Sequence, residues 1–323
     1  MHRHSTATTL STLAAAVAIT VFGVVVAPGV SQATTMAKKA PEPYYLSLGD
    51  SYSQGYQTPA LVDGPGYTDK VAKKEHMQLE NFGCGGATTS SLLNIVGCNN
   101  VQEVAHEVLY PTTTQEIAAL DFISEHPGQI GLITVSIGGN DVTSCSNQAN
   151  PVSCVVAAST TITVNVDKLV SDLNAALTSN GDTARLVGLT YPDVILGDDV
   201  IPVGATNPVL AGESVLAFDS IINPDLKTAY TSVPYGSFVE VTDAPYVKGS
   251  IAATTGDDTG SWNLTTGVYT GPTTKFMPFG KTVPESVAEV CKLTYYCSIS
   301  GDIHPNTKGY AFITSLILAD LGV

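Results

Sequence analysis

Three short segments of this sequence carry residues suited to nucleophilic chemistry, and each sits beside glycine or proline at the end of an apolar run. Ser51 follows Leu48-Gly49-Asp50 and precedes Tyr52-Ser53. A hydroxyl on a glycine-containing turn at a strand end stands above the sheet, where a base can reach it. Gly138-Gly139-Asn140-Asp141 repeats that arrangement after the run Ile130–Ile137, and its amide could donate a hydrogen bond to a developing oxyanion. Asp302-Ile303-His304-Pro305 stands just ahead of a last helical run and offers the imidazole that a serine nucleophile needs as general base. Singly, Gly-Asp-Ser and Gly-Asn-Asp are ordinary turn sequences. Their order and spacing along one chain make the combination informative. The remaining histidines lack such a setting: His2 and His4 lie in the N-terminal segment, His76 and His106 have charged, surface-like neighbours, and His126 precedes a Pro-Gly helix stop.

The elements needed to position these residues can be read from apolar periodicity. Tyr44–Leu48, Ile130–Ile137, Arg185–Leu189 and Phe238–Val241 read as strands. Thr114–Glu125, Val166–Leu177, part of Asn207–Thr231 and Pro305–Leu321 have helical spacing, the last with proline in its first turn. Alternating strands and helices predict an α/β fold with a mainly parallel sheet, which carries its sites at the C-terminal ends of strands. The stretch 243–289 is rich in Gly, Thr and Pro and reads as a long loop; its Trp262, Tyr269, Phe276 and Phe279 could line an acyl or sugar site, or equally pack a surface loop on itself.

Four blocks together resemble one family. Gly49-Asp50-Ser51-Tyr52-Ser53, the segment Asn81-Phe82-Gly83-Cys84-Gly85-Gly86-Ala87-Thr88-Thr89, Gly138-Gly139-Asn140-Asp141 and Asp302-Ile303-His304-Pro305-Asn306 are similar, in order, to the motif blocks of the GDSL, or SGNH, hydrolases, and to the secreted actinobacterial type in particular. The resemblance implies a three-layer α/β/α, flavodoxin-like fold and hydrolysis of esters or thioesters without metal or organic cofactor. Carried onto this chain, it makes Ser51 the nucleophile and His304 its base. The oxyanion hole would consist of the backbone N–H groups of Ser51 and Gly86 and the side chain of Asn140, while Asp50 and Asp141 hold turns. The sequence departs from the family at one point. The acid expected three residues before the histidine is Gly301, and Asp302 stands only two before it. Either Asp302 reaches the imidazole by a different backbone path, or a backbone carbonyl near Ser300–Gly301 orients the ring.

Composition agrees with an exported enzyme. Hydrophobic residues make up 44% of the 323 residues and charged ones 13%, enough for a sizeable core. A formal charge of −15 would repel a polyanionic backbone, which excludes nucleic acid as a partner. Leu10–Val26 is an apolar, small-residue run after Arg3, and Ser31-Gln32-Ala33 offers a cleavage site, so residues 1–33 read as a signal peptide, 34–43 as a linker and 44–323 as one hydrolase domain. The six cysteines all follow the signal, and proximity pairs Cys84–Cys98, Cys145–Cys154 and Cys291–Cys297, each closure contributing about 2–4 kcal/mol. No Cys-x-x-Cys pair or histidine at ligand spacing suggests a metal site.

The expected function is secreted hydrolysis of carboxylic esters, either lipid acyl esters or acetylated glycans, with transient membrane-surface contact an option for a lipase. The alternative from another class is a non-catalytic cell-surface binding domain. Loss of the serine, asparagine or histidine would have favoured it, and all three are present. A Gly-x-Ser-x-Gly elbow is absent, which argues against an α/β-hydrolase. Oligomeric state has no signature in the sequence.

Overall fold

The computed structural model describes residues 42–57, 65–99, 106–200, 206–242, 260–298 and 301–323. The signal segment 1–33, most of the linker, residues 243–259 of the long stretch and Ser300 lie outside the described residues. Five parallel strands form the central sheet: β1 (Tyr44–Gly49), β2 (Gln78–Asn81), β3 (Ile130–Ser136), β4 (Arg185–Leu189) and β5 (Gly236–Val239), in the order β2-β1-β3-β4-β5. This is the flavodoxin-like order, whose switch point lies between β1 and β3. The segments leading from those two strands carry Ser51 and Asn140.

The helices in chain order are α1 (Ser51–Gln54), α2 (Tyr67–Glu75), α3 (Thr89–Asn94), α4 (Gln115–Glu125), α5 (Gly139–Thr143), α6 (Pro151–Asn180), α7 (Pro208–Ala217), α8 (Asn223–Tyr230), α9 (Glu285–Leu293) and α10 (Thr307–Leu321). Alternation along the strands divides them into two layers. Leu46, Leu48, Ile133 and Val135 face one way, against Leu92 of α3, Ile123 of α4, Leu169 of α6 and Leu226 of α8. Tyr45, Leu132 and Val187 face a second cluster with Val71 of α2 and Ile313 and Ile317 of α10. A parallel sheet must be covered on both faces because neither can be left wet. The result is the expected three-layer α/β/α sandwich.

Several boundaries differ from the periodicity. The helix expected over Val166–Leu177 runs from Pro151 to Asn180, with the Asn150 side chain accepting the Ser153 N–H at its start and Gly181, at φ +75°, closing it. Its first half is rich in Ser and Thr, so the buried row Val155, Ser159, Ile162, Val166 does not read as apolar. The last strand starts at Gly236 and ends at Val239, earlier than the apolar run Phe238–Val241. Pro305 precedes α10, which Asn306 caps by accepting from the Lys308 and Gly309 N–H groups. Within the described part of 243–289 there is no structureless loop. Two hairpins form it, β6 (Ser261–Trp262) with β7 (Tyr269–Thr270) and β8 (Thr273–Phe276) with β9 (Lys281–Pro284), before α9 begins. Trp262 packs on Tyr269 with ring centroids 5.1 Å apart, and Phe276 on Phe279 at 5.5 Å. The aromatics pair within each hairpin, and Trp262 also lies against Gly212 of α7.

The three disulfides pair as proximity suggested, Cys84–Cys98, Cys145–Cys154 and Cys291–Cys297. The first follows Gly83, the second ties the 3-10 turn Ser144–Asn147 after α5 to the first turn of α6, and the third joins the last turn of α9 to the segment that follows it.

Candidate active site

The turn that carries Ser51 is built around Gly49. Its φ is +134°, and a β-carbon there would stand 2.0 Å from the Ser136 carbonyl oxygen, so no side chain fits. Both polar groups of its peptide are held by one side chain: the Gly49 N–H donates to Gln115 Oε1 at 2.7 Å, and Gln115 Nε2 donates to the Gly49 carbonyl at 3.0 Å. Gln115 is buried at the first turn of α4. A polar residue at a helix start is routine, so nothing in the sequence singles it out. Beyond Gly49, Asp50 caps α1 by accepting the Tyr52 N–H at 2.9 Å, and Ser51 opens the helix.

His304 arrives from the other end of the chain, in the segment between α9 and α10. Its carbonyl accepts the Tyr295 N–H at 3.0 Å, Thr294 and Pro305 form a β-bridge, and the Tyr52 hydroxyl donates to the Ile303 carbonyl at 2.5 Å. The Cys291–Cys297 bridge encloses Thr294 and Tyr295, so it braces the backbone on which His304 leans. Held in this way, His304 Nε2 lies 2.9 Å from Ser51 Oγ and Nδ1 lies 2.7 Å from Asp302 Oδ1. A carboxylate only accepts, so the ring hydrogen sits on Nδ1 and the Nε2 lone pair faces the serine.

The two-residue spacing between Asp302 and His304 works through a local turn. Asp302 Oδ1 also accepts the backbone N–H of His304 at 3.0 Å, which folds the carboxylate back over its own segment and onto the ring. Gly301, the family's usual acid position, has φ +76°, a conformation that side chains other than glycine rarely adopt. Asp302 thus contacts the imidazole directly, while Ser300 lies outside the described residues.

The three oxyanion-hole candidates are linked through their chain neighbours. Asn140 Nδ2 donates to the Ala87 carbonyl at 2.9 Å and to Asp50 Oδ2 at 3.2 Å, linking the residue after Gly86 to the residue before Ser51. Gly86 is exposed with φ +78°. Among the described residues, neither the Ser51 N–H nor the Gly86 N–H donates a hydrogen bond to the protein. Asp141 accepts from the Thr89 N–H at 2.9 Å and the Thr89 hydroxyl at 2.7 Å, which joins α5 to α3 and fits the turn-holding role. No three His, Cys, Asp or Glu side chains among the described residues form a group able to hold a metal ion.

Beside Ser51 and Asn140 lies a cavity of about 820 Å³, counting the space open to solvent. Its walls are mainly apolar, with Val142, Val155, Leu210, Phe218 and Ile222 among them. Two of its walls are joined by Asp193, which caps the 3-10 turn Val194–Asp199 and contacts α7. Ser214 Oγ stands 2.7 Å from Asp193 Oδ2 and 2.8 Å from the Ala211 carbonyl. One hydroxyl hydrogen cannot serve both acceptors, whereas a protonated Asp193 satisfies both contacts. Burial pushes the Asp193 carboxyl up to about 8, with nearby Asp219 adding to the rise and Ser214 opposing it.

A native carboxyl above its unfolded value of about 4 binds one proton more than the unfolded chain between those two values. Stability from this group is therefore present at low pH and lost as pH rises towards about 8. In Asp193→Asn, which keeps a donor for Ser214 without titrating, the fall between pH 5 and 8 should be shallower by up to roughly 1.4 kcal/mol per pH unit. Urea unfolding of both proteins at several pH values measures this, and parallel profiles would reject the assignment.

The model of the GDSL-like lipase/acylhydrolase family matches residues 47–214, just over half of the sequence. The chain belongs to that family. The matched region holds Ser51, Gly86 and Asn140, while Asp302 and His304 lie beyond it. Among solved structures, the extracellular lipase from Streptomyces rimosus is 16% identical, with a TM-score of 0.48 over 86% of this chain and 99% of its own. The lipase Lip_vut3 from a goat rumen metagenome is 17% identical, with a TM-score of 0.47 over 86% of this chain and 96% of its own. No curated protein matches the sequence.

Proposed function

We propose that this GDSL-family hydrolase is a secreted carboxylic-ester hydrolase in which Ser51, His304 and Asp302 form a catalytic triad. The observation that carries the reading is the unbroken line of contacts from Ser51 Oγ to His304 Nε2 at 2.9 Å and from His304 Nδ1 to Asp302 at 2.7 Å. In the first half-reaction Ser51 Oγ adds to the ester carbonyl as its proton passes to Nε2. The charge on the carbonyl oxygen is met by the N–H groups of Ser51 and Gly86 and by Asn140. The tetrahedral adduct collapses as the imidazolium returns its proton to the departing alkoxide, leaving an acyl-Ser51. Water, deprotonated by the same Nε2, releases the carboxylic acid by the reverse sequence. Asp302 keeps the imidazole in the needed tautomer and stabilises its charged form.

Between acylated lipids and acetylated glycans, the apolar cavity beside Ser51 supports a substrate with an apolar acyl chain. Export is supported by the three disulfides and by the N-terminal apolar run, with 1–33 as the signal and 44–323 as the hydrolase domain. Initial rates on p-nitrophenyl acetate, butyrate and palmitate test the reading. The expected result is a higher kcat/KM for the longer acyl esters than for acetate. A preference for acetate would move the substrate towards small acyl groups on glycans, and folded, oxidised protein inert on every ester would favour the binding-domain alternative.

A further inference from the structure

Asn140 is already fully engaged as a donor. An amide nitrogen has two hydrogens, and here one goes to the Ala87 carbonyl at 2.9 Å and the other to Asp50 Oδ2 at 3.2 Å. To serve a developing oxyanion it must give up one of these partners. The Asp50 contact is the longer. Asp50 is also the partner that can spare it: Oδ1 keeps the Tyr52 N–H at 2.9 Å, and Oδ2 keeps the Tyr191 hydroxyl at 2.6 Å.

The site is rigid. Asp50 is 1% exposed, and Tyr191 stands edge-on to Tyr52 with ring centroids 4.9 Å apart. The Tyr191 ring also lies against Gly139, where a β-carbon would come within 2.9 Å of it. Both neighbours of the Asn140 nitrogen are acceptors. Were the amide turned over, its oxygen would face a carbonyl and a carboxylate, and would face the oxyanion as well.

We propose that Asp50 is a positioning residue for Asn140: it holds the amide with its nitrogen towards the reacting carbonyl and releases one of the Asn140 amide hydrogens to the oxyanion as charge develops. The assignment rests on the ester-hydrolase reading above. Burial raises the Asp50 carboxyl to about 6, against the pull of Tyr191 and the Tyr52 N–H, so it is an acceptor-only carboxylate at pH 7.5 and above. Asparagine at this position has the same shape but not the same pattern. With its oxygen kept by the Tyr52 N–H, its nitrogen would face Tyr191 and the nitrogen of Asn140. Relief comes by turning the Asn140 amide over, which points its oxygen into the hole.

The test is a double-mutant cycle on kcat for p-nitrophenyl butyrate at pH 8. Asn140→Ala should lose about 10²-fold, the usual cost of one oxyanion donor. Asp50→Asn should lose about 10-fold or more with KM little changed, and the double variant should be no slower than Asn140→Ala, because Asp50 acts only through Asn140. A residue that merely holds the turn would slow the enzyme equally in both backgrounds, and multiplied losses would overturn the proposal. If Asp50→Asn does not fold, Tyr191→Phe serves. It removes the donor that compensates Oδ2, so kcat should drop several-fold with Asn140 present and stay unchanged in Asn140→Ala. A drop in both backgrounds would again overturn the proposal. Wild-type protein without Ser51-dependent turnover would instead overturn the ester-hydrolase reading, and this assignment with it.

Discussion

Ser51→Ala should lower kcat for p-nitrophenyl butyrate by a factor on the order of 10⁶, and His304→Ala should do the same. The two side chains act as one unit, since the hydroxyl is a poor nucleophile until Nε2, 2.9 Å away, accepts its proton. Combining the substitutions should therefore cost no more than either alone. The fold should survive both. The Ser51 hydroxyl contacts only the His304 ring among the described residues, and the backbone around each residue is held by other groups: Gln115 and Asp50 on one side, Tyr295 and Asn306 on the other. Thermal unfolding near the wild-type temperature, together with absent turnover, is the expected pair of results. Full activity in Ser51→Ala would remove the nucleophile assignment and the mechanism built on it.

Asp302→Ala should cost about 10³–10⁴ in kcat, the scale expected when the group that fixes a catalytic imidazole is lost. Two consequences of the geometry need separating. The carboxylate oxygen that bonds Nδ1 also accepts the His304 N–H, so alanine removes both a ring partner and a turn. Asp302→Asn keeps an acceptor for that N–H and removes only the charge. Low rates in both variants, with unfolding temperatures close to wild type, would assign the loss to the imidazole's partner. Near-normal turnover in Asp302→Ala would mean that a backbone carbonyl orients the ring, and the centre would be a dyad.

Much of the site is visible in the sequence because its parts are local. Ser51 and Asn140 each lie within four residues of the C-terminal end of a buried strand, on a turn that contains glycine, and that is where a parallel sheet carries its sites. The layering is visible for a similar reason: alternation within Tyr45-Leu46-Ser47-Leu48 sets which side chains face which helices, and β-strand geometry leaves no other choice. Short-range cysteine pairing belongs to the same class, since loops of 14, 9 and 6 residues close without help from the fold.

Tertiary structure alone decided the contacts between residues far apart in the chain. The contact of Asp302 with the ring is not legible in motif spacing, because the carboxylate reaches Nδ1 by folding back on the His304 N–H, which spacing along the chain cannot express. Gln115 lies 66 residues from the Gly49 peptide it holds, and Tyr191 lies 141 residues from Asp50. Nothing near either residue marks it, because a buried polar side chain is defined by the partner that satisfies it, and that partner is chosen by the packing of α4 against β1 and by the place of β4 beside β3 in the sheet. The apolar cavity has the same origin: Val142, Val155, Leu210 and Phe218 come from four elements, and each reads along the chain as an ordinary core residue. The sequence by itself thus determined the sheet and the turns that carry Ser51 and Asn140, since these follow from backbone periodicity and turn chemistry. Only the tertiary structure decided which groups meet the His304 ring and the Asn140 amide and which side chains line the cavity beside Ser51, since those depend on which groups the packing brings together.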